Sequence, residues 1–111
     1  MMILRPLCAL ALMLSCQSAS AAFKTGNQMY ETCPGRTDDS PSSQMLAMGY
    51  FLGAVDHGIE AKVVCVPKNA TAGQVHGIAC RWLEKHPELR HYSATLLVGT
   101  AMIEAWPCPT P

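Results

Sequence analysis

Thr71-Ala72-Gly73-Gln74-Val75-His76-Gly77-Ile78-Ala79-Cys80-Arg81-Trp82-Leu83-Glu84-Lys85-His86-Pro87 is the stretch that decides the fold class of this 111-residue chain. Thr71 followed three residues later by Gln74 is a capping box, in which the hydroxyl accepts a backbone N–H and the amide reaches back to the cap. Val75, Ile78, Ala79, Trp82 and Leu83 recur at three- and four-residue steps, which predicts a helix with those five on its inner face. Pro87 stops it, because the residue before a proline is pushed out of helical geometry, and proline itself suits the first turn of a following helix.

The same period extends both ways. Upstream, the polar run Asp38-Asp39-Ser40-Pro41-Ser42-Ser43 offers several caps for a helix reaching about Ala61, with Met45, Met48, Leu52, Val55 and Ile59 on one face. A short first helix is expected over Gly26 to Cys33, capped by Thr25 or Asn27 and ended by Pro34-Gly35. Downstream, a helix starting at Pro87 would carry Leu89, Tyr92, Leu96, Ile103 and Trp106 in one stripe. Gly99 falls in that stripe, either for close helix approach or as a tolerated weak spot. Only Lys62 to Val66 reads as extended, and there is no internal repeat. The expectation is an all-α, small four-helix antiparallel bundle.

Residues 1–22 read as a signal peptide. Arg5 gives a positive start, Leu7 to Leu14 an apolar stretch, and Ser18 to Ala22 a small-residue cleavage region. Periplasmic export of a single domain, residues 23–111, follows as an expectation. The apolar stretch is far short of the roughly 18 residues that span a bilayer. Met13-Leu14-Ser15-Cys16 is an imperfect lipoprotein box, so membrane contact is expected only if Cys16 is lipidated. Loss of Arg5 leaves seven basic against eight acidic residues, which disfavours nucleic acid and anionic lipid as partners.

A domain this small hides only about 60 to 65% of its unfolded surface, so staples are expected. The leader removes Cys8 and Cys16 and leaves Cys33, Cys65, Cys80 and Cys108. An even count in an exported domain reads as a disulfide framework. Cys65 and Cys108 each lie just past a helix, so a bond between them would tie two helix ends; Cys33 and Cys80 then remain. Three pairings stay open.

Two polar constellations need weighing. His76, Cys80 and Glu84 follow at four-residue steps on one flank, the residue types of a thiol nucleophile or a zinc site. No second ligand cluster or nucleophile signature accompanies them, and a disulfide suits the compartment better. Asp56, His57 and Glu60 read as a solvated helix face. The mature methionines, Met29, Met45, Met48 and Met102, and both tryptophans, Trp82 and Trp106, read as core. No catalytic residue, metal or cofactor is expected.

Gly26-Asn27-Gln28-Met29-Tyr30-Glu31-Thr32-Cys33, Gly49-Tyr50-Phe51-Leu52-Gly53-Ala54-Val55-Asp56, Cys65-Val66-Pro67, His86-Pro87-Glu88-Leu89-Arg90-His91 and Trp106-Pro107-Cys108, in that order, resemble the Rap1a/Tai immunity proteins. These are small exported bacterial proteins that neutralise cell-wall-cutting effectors delivered by type VI secretion. The resemblance covers everything after the leader. It implies a non-enzymatic monomer or homodimer that plugs the cleft of a peptidoglycan amidase or related toxin. It also marks Gly49, Tyr50, Gly53 and Asp56 as a structural motif, with Asp56 holding a backbone N–H or Arg90. One departure stands out: the family's usual cysteine two residues before Gly49-Tyr50 is Ala47 here, while Cys80 occupies an ordinarily aliphatic place. Cys33 is thus expected to have changed partners.

His86, Glu88, Arg90 and His91, around the turn before the last helix, are the candidate partner-binding residues, against the plainer reading of a charged solvated corner. Two other classes compete with immunity. One is a disulfide-held periplasmic stress or chaperone-like protein of the acid-resistance kind, whose four histidines would give a pH response. The other is a thiol or metal enzyme built on His76 and Cys80.

Overall fold

The computed structural model describes residues 22–110. Cys8, Cys16 and all of the leader except Ala22 lie outside the described residues. Among the described residues four α-helices form: α1 (Gly26–Tyr30), α2 (Pro41–Glu60), α3 (Ala72–Lys85) and α4 (Ala94–Ala105), with a 3₁₀ turn at Pro87–Leu89. Each start has a local cause. Thr25 with Gln28 and Thr71 with Gln74 make complete capping boxes for α1 and α3. Ser40 and Ser93 cap α2 and α4 by accepting the N–H groups of Ser43 and Leu96.

Two helix limits differ from the sequence expectation. α1 stops at Tyr30 rather than Cys33, because the Thr32 and Cys33 N–H groups donate to Met29 and Tyr30 in tighter three-residue turns. α4 starts at Ala94 rather than Pro87. The first N–H groups of α1 take the carbonyls between: Asn27 N–H donates to Arg90 O at 2.7 Å and Gly26 N–H to Tyr92 O at 2.9 Å. Those carbonyls satisfy the unpaired start of α1 instead of a helix of their own. The approach is close, since a Cβ on Gly26 would meet Arg90 O at 2.8 Å and Leu97 Cδ1 closer still.

The C-terminus of α2 closes as a Schellman turn. Lys62, at φ 60°, donates to Ile59 O and Val63 donates to Gly58 O, both at 3.0 Å. The chain then folds back so tightly that a Cβ on Gly58 would lie 2.8 Å from Val64 Cγ2. The expected extended piece is a single bridge, Val64 to Pro107.

α2 and α4 run parallel to each other, since Tyr50, midway along α2, meets Thr95 at the start of α4 and Cys65 joins Cys108 past their ends; α3 packs against both. The core between them is Phe51, Val55, Val75, Ala79, Leu83, Leu97, Val98 and Met102. On α3 the expected face is nearly the observed one, with His76 buried and Ile78 half-buried. On α2 and α4 it is not. α2 buries Ala47, Phe51, Ala54, Val55 and Gly58, leaving Met45 and Ile59 exposed; α4 buries Ala94, Leu97, Val98, Ala101 and Met102, leaving Leu96 and Ile103 exposed. Small residues let these two helices pack closely, so the bulky ones end outside. Gly99 is not a close-approach site, as nothing lies within 4 Å of its would-be Cβ.

Cys33–Cys80 ties the end of α1 to α3, and Cys65–Cys108 ties the tails of α2 and α4, across separations of 47 and 43 residues. Each closes a loop worth about 4 kcal/mol in chain entropy. No helix among the described residues is long and apolar enough to cross a membrane.

Candidate partner-binding surface

The bulky side chains left outside α2 and α4 are the raw material of a surface. Leu46 is 78% exposed, Leu96 59%, Tyr92 48% and Ile103 42%. Tyr50 Oη lies 2.8 Å from Thr95 Oγ1, which fixes the seam between the two parallel helices. At 1.5 Å rise per residue, that register puts Leu46 level with the Tyr92 end of α4 and Gly53 within one residue's rise of Gly99. Nothing packs within 4 Å of a Cβ built on Gly53 or Gly99. The outcome is an apolar strip with a shallow, side-chain-free middle. Where α1 meets α2 it continues into a groove of about 580 Å³ lined by Met29, Leu46, Ala47 and Tyr50, with Glu31, Asp38 and Lys24 also on its walls. Contiguous uncovered apolar surface on a small domain marks an interaction site.

The α3–α4 turn is less open than its sequence suggests. The His86 ring stacks on Trp82 at 3.9 Å, and its Nδ1 lies 2.7 Å from Trp82 O, so the ring is half-buried. Arg90 lays its guanidinium over the Tyr30 ring at 4.0 Å, while Arg36 covers the same ring at 4.4 Å. Only Glu88 and His91 of the four candidates are exposed, and His91 rests against Tyr92 at 4.2 Å. The turn thus adjoins the apolar strip through Tyr92.

The other singled-out residues separate. Tyr50 joins the seam, whereas Gly49, Gly53 and Asp56 lie exposed on α2, and Arg90 is engaged with Tyr30. His57 and Glu60 are exposed as well. Trp82 is in the core and Trp106 packs half-buried against it. Cys80 is bonded to Cys33, so it is no free nucleophile. Among the described residues no group of three or more His, Cys, Asp and Glu could hold a metal.

Among the described residues, two groups titrate away from their ordinary values. The Thr37 hydroxyl and N–H, with Arg36, hold the Glu31 carboxyl below the usual carboxylate range. Burial lowers the His76 imidazole. Sequence reasoning missed Leu46, and it placed Leu96, Tyr92 and Ile103 inside; the available signal was that α4 is apolar almost all round, more than one buried face requires.

The family model of the Rap1a immunity proteins matches residues 25–108. No curated protein and no solved structure matches the chain.

Proposed function

The chain belongs to the Rap1a immunity protein family, a family of inhibitors of type VI effectors, and from that premise we propose that it is a periplasmic antidote that binds and blocks a peptidoglycan amidase. Residues 1–22 are its export leader and residues 23–111 its single mature domain. One observation carries the mode of action: the uncovered strip of Leu46, Tyr92, Leu96 and Ile103 on a frame held by two disulfides. Such a frame docks without reordering, so burial of these side chains, about 1.5–3 kcal/mol for each fully covered one, goes into affinity. Glu88 and His91 extend the contact at its rim. His86 and Arg90 hold the corner against Trp82 and Tyr30 instead of reaching the effector.

Sibling competition tests this. A strain lacking the gene is expected to lyse beside parental cells with intact type VI secretion, and to survive when the chain is restored with its leader. Survival with a leaderless copy, or no lysis at all, would refute the periplasmic antidote. Purification of many unfolded clients in place of one hydrolase would favour a chaperone-like role, and a self-paired strip a homodimer.

A further inference from the structure

Beside the strip, a second cleft has no part in the immunity reading. It measures about 320 Å³ and is lined by Tyr30, Cys33, Arg36, His76, Cys80 and Arg81, with Glu84 adding the one carboxylate. Its floor is therefore a disulfide. Cys33 is 3% exposed and Cys80 is half-buried, so Cys80 is the sulfur more open to attack. His76 is buried against Phe51 and points Nε2 at Cys80 Sγ from 3.7 Å. The segment after Cys33 that the bond restrains is exposed from Pro34 to Ser42, so releasing it uncovers little core.

We propose that this cleft is a thiol–disulfide exchange site for a small thiol bearing carboxylates, with His76 as base, Cys80 Sγ as the atom attacked and Arg36 and Arg81 as the anion-binding walls. A thiol entering beside His76 passes its proton to Nε2. Its sulfur then bonds to Cys80 Sγ while the Cys33–Cys80 bond breaks. Cys33 leaves with the bonding pair and takes the proton from His76. A second thiol passes its proton to His76 in turn and bonds to the sulfur of the first, while Cys80 leaves with the bonding pair and takes that proton. The products are an external disulfide and the Cys33, Cys80 dithiol, two electrons having passed from the two thiols to the protein. Burial keeps the His76 imidazole below its ordinary pKa, hence neutral and able to accept the proton. Attack by thiolate is what limits such exchange, so a resident base counts.

The other disulfide supplies the internal control. Cys65 is exposed, so access alone favours exchange at Cys65–Cys108. The native mature protein is treated with reduced glutathione, quenched by alkylation at intervals and mapped by peptide mass. The expected first adduct is glutathione on Cys80, with His76→Gln slowing it by roughly tenfold or more and leaving Cys65–Cys108 exchange unchanged. Arg81→Glu, at an exposed position, should slow glutathione but not the uncharged 2-mercaptoethanol, and it keeps the test valid if His76→Gln fails to fold. A first adduct on Cys65 or Cys108, or an Arg81→Glu variant that reacts like the parent, would overturn the assignment. Neither result bears on the immunity reading, because rescue in sibling competition is scored independently.

Discussion

Trp82 donates its indole N–H to Glu104 Oε2 at 2.7 Å, joining α3 to α4 on the side away from the Tyr50–Thr95 seam. The bond gives a core tryptophan a charged acceptor at the protein edge, and it holds the two helices in one register. A hydrogen bond to a charged group contributes roughly 1.5–3 kcal/mol when buried and less at an edge. Glu104→Ala and Trp82→Phe are each expected to lower unfolding free energy, and the double variant to lose less than the sum. Urea titration of the four proteins checks it; strict additivity would mean the bond contributes nothing.

The glycines and Lys62 separate tight from open positions. Gly58→Ala drives a Cβ onto Val64 Cγ2 and is expected to destabilise by about 1–3 kcal/mol. Gly99→Ala meets open space in mid-helix and is expected to stabilise by about 0.5–1 kcal/mol. Lys62→Gly relieves a left-handed backbone at the Schellman turn and should stabilise by about 1 kcal/mol. Thermal unfolding of the three variants should show one fall and two rises.

His76 gives the fold a pH dependence of definite sign. Its imidazole is depressed by burial, so below about pH 6.5 the unfolded chain takes up a proton that the folded one refuses. The contribution is complete above the unfolded pKa and is lost as pH falls through the folded one. Stability measured by denaturant from pH 8 to pH 5 should therefore decline below about 6.5, with a shallower decline in His76→Gln. An equal slope in the two proteins would assign the decline to other groups.

The legible parts of the chain were those with local causes. Thr71 and Gln74 announced α3, Pro41 and Ser40 announced α2, and four cysteines in a small domain announced the staples. Which face of α2 and α4 turns inward was not legible. Both helices are apolar on more than one side, and large residues such as Met45, Leu96 and Ile103 outweigh small ones in any periodicity reading. The structure buries Ala47, Ala54, Gly58, Ala94 and Ala101 because close packing of helices favours small contacts. The excess of large apolar residues became the candidate site. The exposure of the turn was not legible for a related reason: His86 and Arg90 are polar, yet Trp82 and Tyr30 offer flat rings that hold their planar groups half-buried.

The central claim is that the strip on α2 and α4 is what meets the effector, and Leu96→Asp tests it most directly. Leu96 is 59% exposed, so the charge is expected to leave folding within about 0.5 kcal/mol of the parent. In sibling competition, at matched periplasmic level, Leu96→Asp is expected to fail to rescue while Lys68→Glu, exposed on the α2–α3 loop, rescues fully. Full rescue by Leu96→Asp would contradict the account.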